Sequence, residues 1–377
     1  MSIKKLLDSV AVIGEAFTLR PTDSTRKQLV DVLGKLSAQI IPPTEQLLYL
    51  AWAEPARPAA LTTALDLGLF EHMTQPISVE NLSKKLPCST DVLLLNRLLQ
   101  HLAATFVISS PSPQIYEPTP LSLLLQDPRQ SVALRLASLL HGPNLDALPR
   151  YLSTNGYKSP ADSKDLPFHL AHETKQSPWG WGSQRPEVAR AFALHMSGYH
   201  IGRPNWLNTD MYPFEERVLK DADDDHVLFL DVGGGMGDDI ANLRARLGNI
   251  IGNKKLVLQE RETIVARVKQ SRPELEVVVG DFFEEPKIKG ARAYFLHSVL
   301  HDWPDEECQK ILRHLKGAMT SGYSRLLIYE NVLPEQNASW KMTSLDLIMM
   351  ANAGGMEKTE GLWKDLVESS GLKVNRI

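Results

Sequence analysis

Apolar positions in the first hundred residues recur at helical spacing. Leu29, Leu33, Leu36 and Ile40 form a stripe that a helix must bury against another surface, and Pro42-Pro43 ends it. Residues 59–70 (AALTTALDLGLF) repeat the pattern. Segments 77–86 and 90–104 predict two short helices parted by Pro87-Cys88-Ser89, with Ser89 or Thr90 placed to cap the second. Runs at 106–109 and 114–117 flank a Ser/Pro turn and predict a hairpin, so helix, helix and hairpin make a winged-helix-like unit. Residues 120–225 predict further helices, interrupted by the polar, proline-punctuated stretch 151–167 and closed by an acidic connector at 221–225.

From 226 onward the period changes. Short β-branched and apolar runs at 227–232, 256–259, 275–279, 292–296, 325–330 and 372–377 alternate with amphipathic helical patterns. Such alternation predicts a parallel sheet with helices on both faces, a Rossmann-like, doubly wound α/β fold that binds ligands at the C-terminal ends of its strands. The expected organisation is a helical winged-helix-like domain over 1–125, a helical connector over 126–225 that contributes to a substrate pocket, and a ligand-binding domain over 226–377.

Composition narrows the function classes. A formal net charge of −4 offers no basic excess for nucleic acid or an anionic membrane. The segment 90–104 is apolar on most faces, with Arg97 and His101 its basic residues, which suits burial better than a DNA groove. Two cysteines, Cys88 and Cys308, suggest neither a disulfide framework nor a metal cluster, and fit a reducing, cytoplasmic compartment. The lysines at 4 and 5 precede an apolar patch interrupted by Asp8 and Glu15, which reads as an amphipathic helix rather than a signal peptide, and no run of apolar residues approaches a membrane span.

The stretch 228–239, LFLDVGGGMGDD, reads as strand, tight turn and helix. Asp231, Gly233, Gly235 and Gly237 alternate as D-x-G-x-G-x-G, and Asp238 stands where a dinucleotide fingerprint would have its last glycine. Acids at 238 and 239 suit a helix N-terminus but not a pyrophosphate. A ligand with an adenosine, no phosphate and cationic groups that Asp231 could help hold fits better, and S-adenosylmethionine is such a ligand. Glu260, ending the next run, sits where an acid commonly binds a ribose diol, and Asp281-Phe282 after the third pairs a carboxylate with an aromatic face for adenine.

After the fourth run, in LHSVLHDWPD, His301 falls on the ligand edge as a candidate general base. An imidazole base needs an orienting carboxylate, which Glu330 at the end of the fifth run can supply, with Glu357 as a second. His297 and His301 could form an H-x-x-x-H zinc pair only on a continuous helix; with one in a strand and the other in a loop, metal binding is not expected. Trp179, Trp181 and the segment 192–196 supply large soft side chains equally suited to core packing and to lining a pocket.

Together, DVGGGMG, Glu260, GDFF, LHDWPDEEC, the run ending at Glu330 with Leu333-Pro334, and DLIMMANAGGMEKTE resemble the plant and fungal small-molecule O-methyltransferases that use S-adenosylmethionine. The likeness spans 226–370 and extends more loosely to ALTTALDLGLF and IYEPTPLSLLL, similar to that family's winged-helix dimerisation region. The resemblance implies a homodimer through the N-terminal helices and metal-independent transfer of methyl to a phenolic or enolic hydroxyl. It implies that Gly233, Gly234 and Gly235 turn beneath the cofactor, Glu260 holds its ribose, and Asp281 and Phe282 face its adenine. His297 would stand at a cofactor-contacting position, His301 would be the base flanked by Glu330 and Glu357, and Phe192, Met196, Asp302, Met349, Met350 and Asn352 would line the acceptor pocket. The chain departs from the family in having Glu260 for the usual Asp and His297 for a permanent cation. It also reaches Ile377 without the family's final antiparallel strand, so the sheet is expected to be completed differently or by further chain. Some fungal proteins resembling this family use the pocket for dehydration or a pericyclic rearrangement, which is the alternative activity. A winged-helix regulator with a ligand-sensing domain is the non-enzymatic one.

Overall fold

The computed structural model describes residues 1–87, 90–198, 205–208 and 210–377, arranged as two compact units, Met1–Asp127 and Pro128–Ile377.

In the first unit the helices Ile3–Leu19 and Asp23–Ile40 pack against one another. The stripe expected to be buried is not covered within the chain. Leu29 and Leu36 are half-buried and Leu33 and Ile40 exposed among the described residues; the helix packs chiefly on Ile3–Leu19, which itself buries Leu6. The helix placed at 59–70 runs from Glu54 to Asp66 and continues through a turn into the 3₁₀ segment Phe70–His72. The segment at 77–86 begins as a strand, β1 (Ile77–Ser78), before the helix Val79–Lys85. Ser89 lies outside the described residues, and the cap of Val92–Ala104 is neither it nor Thr90. Asp91 takes that role, its carboxylate accepting from Leu94 N at 2.7 Å. The hairpin of β2 (Ile108–Ser112) and β3 (Ile115–Pro118) pairs antiparallel, and β1 joins it in the order β1-β3-β2. Leu95, Leu99 and Leu102 of the second helix are buried, while Leu93 is 70% exposed where a DNA reader would need a polar group.

The second unit is built on five parallel strands in the order β6-β5-β4-β7-β8: β4 (Phe229–Val232), β5 (Leu256–Glu260), β6 (Glu276–Val279), β7 (Ala293–His297) and β8 (Arg325–Tyr329). Alternate side chains feed two cores. Leu230, Val232, Tyr294 and Leu296 pack with Leu312 and Leu315 of the helix Asp305–Ala318 and with Trp363 of Glu360–Ser369. Phe229, Leu258 and Phe295 face the other way, onto Trp206, Phe214 and Leu243 of the helix Asp238–Ile251. The helices of 128–198 belong to this same unit. A small parallel pair, β9 (Val332–Leu333) with β10 (Lys358–Thr359), was not expected, and it brings the chain after β8 beside the segment carrying Glu357. The expected last strand at 372–377 is absent: these residues form no ladder, and Leu372 and Val374 instead pack against the core cluster under the sheet. No helix among the described residues is long and apolar enough to cross a membrane.

Candidate active site

Strand order reverses at β4, whose neighbours are β5 on one side and β7 on the other, so the crevice at their C-terminal ends is where a doubly wound sheet binds its ligand. The chain leaves β4 through Gly233, Gly234, Gly235 and Met236, with Gly233 and Gly235 at positive φ. It enters the next helix at the left-handed N-cap Gly237. A side chain at 234 would run into the Asp231 carboxylate, and a Cβ at 233 would sit 3.3 Å from the Phe282 ring and from Val299. The loop is therefore bare backbone, open to close approach by a ligand.

The polar groups around this loop are mostly acids. Asp231 is fully buried, and neither carboxylate oxygen has a hydrogen-bond partner among the described residues; burial pushes its pKa well above the usual carboxylate range, and Asp239, Glu260 and Asp238 push it the same way. Glu260 accepts from Gly235 N at 3.2 Å and Arg261 N at 2.7 Å; burial raises its pKa, although these amides oppose the shift. A buried unpaired carboxylate at the mouth of a glycine cradle calls for a cationic ligand, and a carboxylate fixed on that cradle can accept from hydroxyls. This donor set fits the amino and ribose groups of S-adenosylmethionine. Phe282 packs against the cradle at Gly233. Asp281 is exposed, its carboxylate accepting from Phe283 N at 2.9 Å. Phe282, Phe283 and Trp303 form an edge-to-face aromatic group that joins the end of β6 to the turn after β7.

His297, ending β7, donates from Nδ1 to Asp239 Oδ2 at 2.7 Å, and the other oxygen of that carboxylate takes Trp206 Nε1–H at 2.7 Å. Its first partner is thus a residue of the glycine-loop helix. The sequence marks Asp239 only as a helix-dipole partner; its pairing with His297, 58 residues on, has no local signal.

Ser298 follows in the left-handed region (φ 52°), a strained conformation for serine that turns the amides of Val299 and Leu300 onto Glu330 Oε1, each at 2.9 Å. His301 sits in the 3₁₀ turn Leu300–Asp302 that results. Its Nδ1–H donates to Glu357 Oε1 at 2.6 Å, whereas Glu330 Oε2 lies 3.8 Å away. The order of the two carboxylates is therefore reversed from the expectation: Glu357 orients the imidazole and Glu330 holds the backbone that carries it. The reason is local, since Glu330 Oε1 is already committed to two amides and Asp346 fixes Glu357 by accepting from its N at 2.9 Å. Nε2 faces Asp302 Oδ1 at 3.6 Å.

Burial alone would lower the His301 pKa, but the facing Asp302, Glu330 and Glu357 carboxylates outweigh it and raise it to about 10. Burial raises Asp302 to about 7 against the pull of His301, with Glu330 and Glu357 adding to the rise. The turn is pinned from below as well. Cys308 Sγ–H contacts the carbonyls of Leu300 (3.0 Å) and Trp303 (3.3 Å), and Met356 N donates to His301 O at 3.1 Å. Gly355 lies so close to that carbonyl that a Cβ could not fit. The sequence reading uses Cys308 only to argue against a disulfide framework and a metal cluster, and nothing in its sequence context signals this contact.

The expected acceptor-lining residues are dispersed over nearby elements of the same unit. Phe192 and Met196 are half-buried on the helix Pro186–Gly198, Phe192 meeting Trp179 edge-on at 5.5 Å. Trp181 is core, packed on Phe168 and His172 and under the Arg185 guanidinium. Met349, Met350 and Asn352 lie on Trp340–Ala353, the helix that leads through Gly354-Gly355 into Glu357.

Comparison with known proteins identifies the family. An O-methyltransferase domain matches residues 210–373 and an O-methyltransferase dimerisation domain matches 55–127. The O-methyltransferase mpaG of Penicillium brevicompactum is 36% identical, over 93% of this chain and 89% of its own length. The chain belongs to the O-methyltransferase family. Its catalytic unit is of the kind that takes its methyl group from S-adenosylmethionine. Two solved structures, one described as a pericyclic reaction enzyme and the other as LepI in complex with S-adenosylmethionine, each superpose with a TM-score of 0.87 at 26% identity. The first covers 100% of this chain and 95% of its own, the second 99% and 95%. Fold class, family and cofactor thus agree with the sequence reading.

Proposed function

We infer that this O-methyltransferase methylates a phenolic or enolic hydroxyl of a small secondary metabolite, with His301 as general base. The observation that carries the reading is the His301–Glu357 pair at 2.6 Å, which leaves Nε2, facing Asp302 Oδ1 at 3.6 Å, as the ring nitrogen able to accept a proton, two residues from Val299, which packs beside Gly233 of the cradle. Asp231, Gly233, Gly234, Gly235, Gly237, Glu260, Asp281, Phe282 and His297 are the residues we assign to holding the cofactor, His297 through its Asp239 pair. When bound, S-adenosylmethionine supplies an electrophilic methyl on a sulfonium.

Every other part of the task falls to side chains of this chain. Neutral His301 accepts the hydroxyl proton at Nε2 as the acceptor oxygen gains negative charge, and Glu357 stabilises the imidazolium that forms. Glu330 keeps the turn in place through Val299 N and Leu300 N. Phe192, Met196, Met349 and Met350 supply soft apolar walls that keep water from the developing oxyanion, with Asp302 and Asn352 as polar points among them.

The test is mass spectrometry of purified protein with S-adenosylmethionine and a panel of phenols and enols, following S-adenosylhomocysteine and the acceptors together. A methylene gained by an acceptor in step with S-adenosylhomocysteine is the expected result. An acceptor that changes while the cofactor stays intact would replace it with the second reading, dehydration or pericyclic rearrangement, which the likeness to a pericyclic enzyme favours. The intact His301–Glu357 pair favours methyl transfer.

We also infer a homodimer through the N-terminal helices. Val12, Leu19, Leu47 and Trp52 are exposed apolar side chains on the first unit, more than solitary surface residues would explain, and the dimerisation-domain match covers the adjacent 55–127. Light scattering at micromolar concentration should give twice the 42.1 kDa chain mass. A single-chain mass would remove the dimer.

A further inference from the structure

Glu357 orients the imidazole, yet it stands beside the shortest pairing in the unit. The ladder of β9 with β10 has two residue pairs, Lys358 opposite Val332 and Thr359 opposite Leu333, too few to hold their own register. This ladder nevertheless sets two carboxylates side by side, since Glu330 comes two residues before Val332 and Glu357 one before Lys358. The 2.6 Å bond from His301 Nδ1 to Glu357 Oε1 tolerates little movement of β10. Another contact must fix the strand.

The next side chain along β10 is a buried cation. Lys358 is 1% exposed, and its Nζ lies 3.2 Å from Asp305 Oδ1 in the first turn of the helix Asp305–Ala318. Nζ also sits 5.2 Å from the centre of the Trp363 ring, a cation–π contact. It makes no aligned hydrogen bond among the described residues, so charge is what holds it there. Burying an ammonium costs free energy that an apolar side chain of the same length would not. Filling space therefore does not account for a lysine at this position.

Both contacts lead back to the base. Asp305 begins the helix whose Cys308 meets the Leu300 carbonyl at 3.0 Å, under the His301 turn. Trp363 Nε1–H donates to the Asn331 carbonyl at 3.0 Å, next to Glu330. Asp346, which accepts from Glu357 N at 2.9 Å, feels the same cation. Burial raises the Asp346 pKa, the Glu357 amide and the Lys358 ammonium work against the rise, and the Glu357 charge adds to it. One ammonium thus ties together the elements that carry His301, Glu330 and Glu357.

We propose that Lys358 is a positioning residue: its buried ammonium, held between Asp305 and Trp363, keeps the Glu357 carboxylate in register with the His301 imidazole. Its bearing on catalysis rests on the reading of His301 as the base, so the experiment follows the pair both without turnover and with it.

Lys358→Met keeps the length of the side chain and removes its charge, and Asp305→Asn removes the partner from a half-exposed position. In protein saturated with S-adenosylhomocysteine, the low-field proton resonance of the His301–Glu357 bond, identified by its absence in His301→Ala, reports the register directly. It should move upfield or vanish in Lys358→Met. With an acceptor from the phenol and enol panel, the single-turnover rate of this variant should fall about tenfold or more, while its affinities for S-adenosylhomocysteine and acceptor stay within about twofold of wild type. Asp305→Asn should show the same changes in smaller measure. A lysine that served stability alone would lower the unfolding temperature and leave the resonance and the rate of the folded protein unchanged.

A folded Lys358→Met with a wild-type resonance, or with an undiminished rate where His301→Ala is slow, would overturn the proposal, as would a wild type without the resonance. Should Lys358→Met fail to bind S-adenosylhomocysteine, Asp305→Asn decides, and its keeping both resonance and rate would overturn the proposal. A resonance displaced in Lys358→Met with full rates in both it and His301→Ala would leave the register standing and remove the reading of His301 as the base instead.

Discussion

Replacing His301 by alanine is expected to lower methyl transfer by about a hundredfold or more while leaving the affinity for S-adenosylmethionine within about twofold of wild type. The separation follows from the geometry. His301 touches Glu357 and faces Glu330 and Asp302, all at the end of the sheet that follows β7 and β8, whereas the cradle is built by Gly233–Gly237, Asp231 and Glu260 on β4 and β5. Its backbone, not its side chain, is what Met356 holds, so alanine leaves the turn anchored by Glu330, Cys308 and Met356. Loss of the base alone then removes an interaction made only as the acceptor's proton leaves. Single-turnover rates with an identified acceptor, paired with calorimetric titration of the cofactor, read the two quantities separately. A variant of undiminished rate would end the assignment of His301, and a collapse of cofactor affinity would mean that the histidine belongs to the cradle.

Glu357→Gln is expected to have an effect of the same order, about a hundredfold or more on the rate, and to move the pH profile. Glu357 does two things for His301: it accepts the Nδ1 proton, which fixes the tautomer, and its charge favours the imidazolium. Glutamine loses the charge and can turn its NH₂ toward Nδ1, which would put the proton on Nε2 and silence the base. The sign of the pH effect is fixed. His301 is raised to about 10 by Asp302, Glu330 and Glu357 against burial, so in wild type the fraction of neutral, proton-accepting imidazole grows with pH through the alkaline range. Removing one of those carboxylate charges lowers that pKa. The rising limb of log kcat against pH should therefore move toward lower pH while its plateau drops. A plateau lowered with no movement of the limb would make Glu357 a packing residue rather than an electrostatic partner.

Much of the catalytic unit was legible because its chemistry is written in short stretches at strand ends. The run before Gly233 could only be a buried strand, the positive-φ positions beyond it needed glycine, and the acids at 260 and 281 and the histidines at 297 and 301 fell on one edge once the sheet was taken as parallel. What escaped notice was decided by contacts between distant segments. Glu330 and Glu357 are equivalent carboxylates in the sequence; only the left-handed Ser298 and the amides it exposes make one an anchor and leave the other for the imidazole. The Cys308 thiol under Leu300 and the Lys358–Asp305 pair have no local signature. The misplaced last strand had the right β-branched residues, but a strand needs a partner edge as well as a propensity, and in this chain Leu372 and Val374 find the core instead.

The fourfold pinning of the 300–303 turn has a consequence for how such an enzyme can be altered. Glu330, Cys308, Met356 and the bare Gly355, which hold the turn that carries His301, lie outside the helices Pro186–Gly198 and Trp340–Ala353, where Phe192, Met196, Met349 and Met350 stand as the acceptor contacts we propose. The proposed base and most of the proposed acceptor contacts are thus carried by different elements of one folded unit. Grafting or randomising the wall helices can redirect the enzyme to a new natural product while the reaction step is inherited intact, and a library built on that partition needs to sample tens of positions rather than the whole chain.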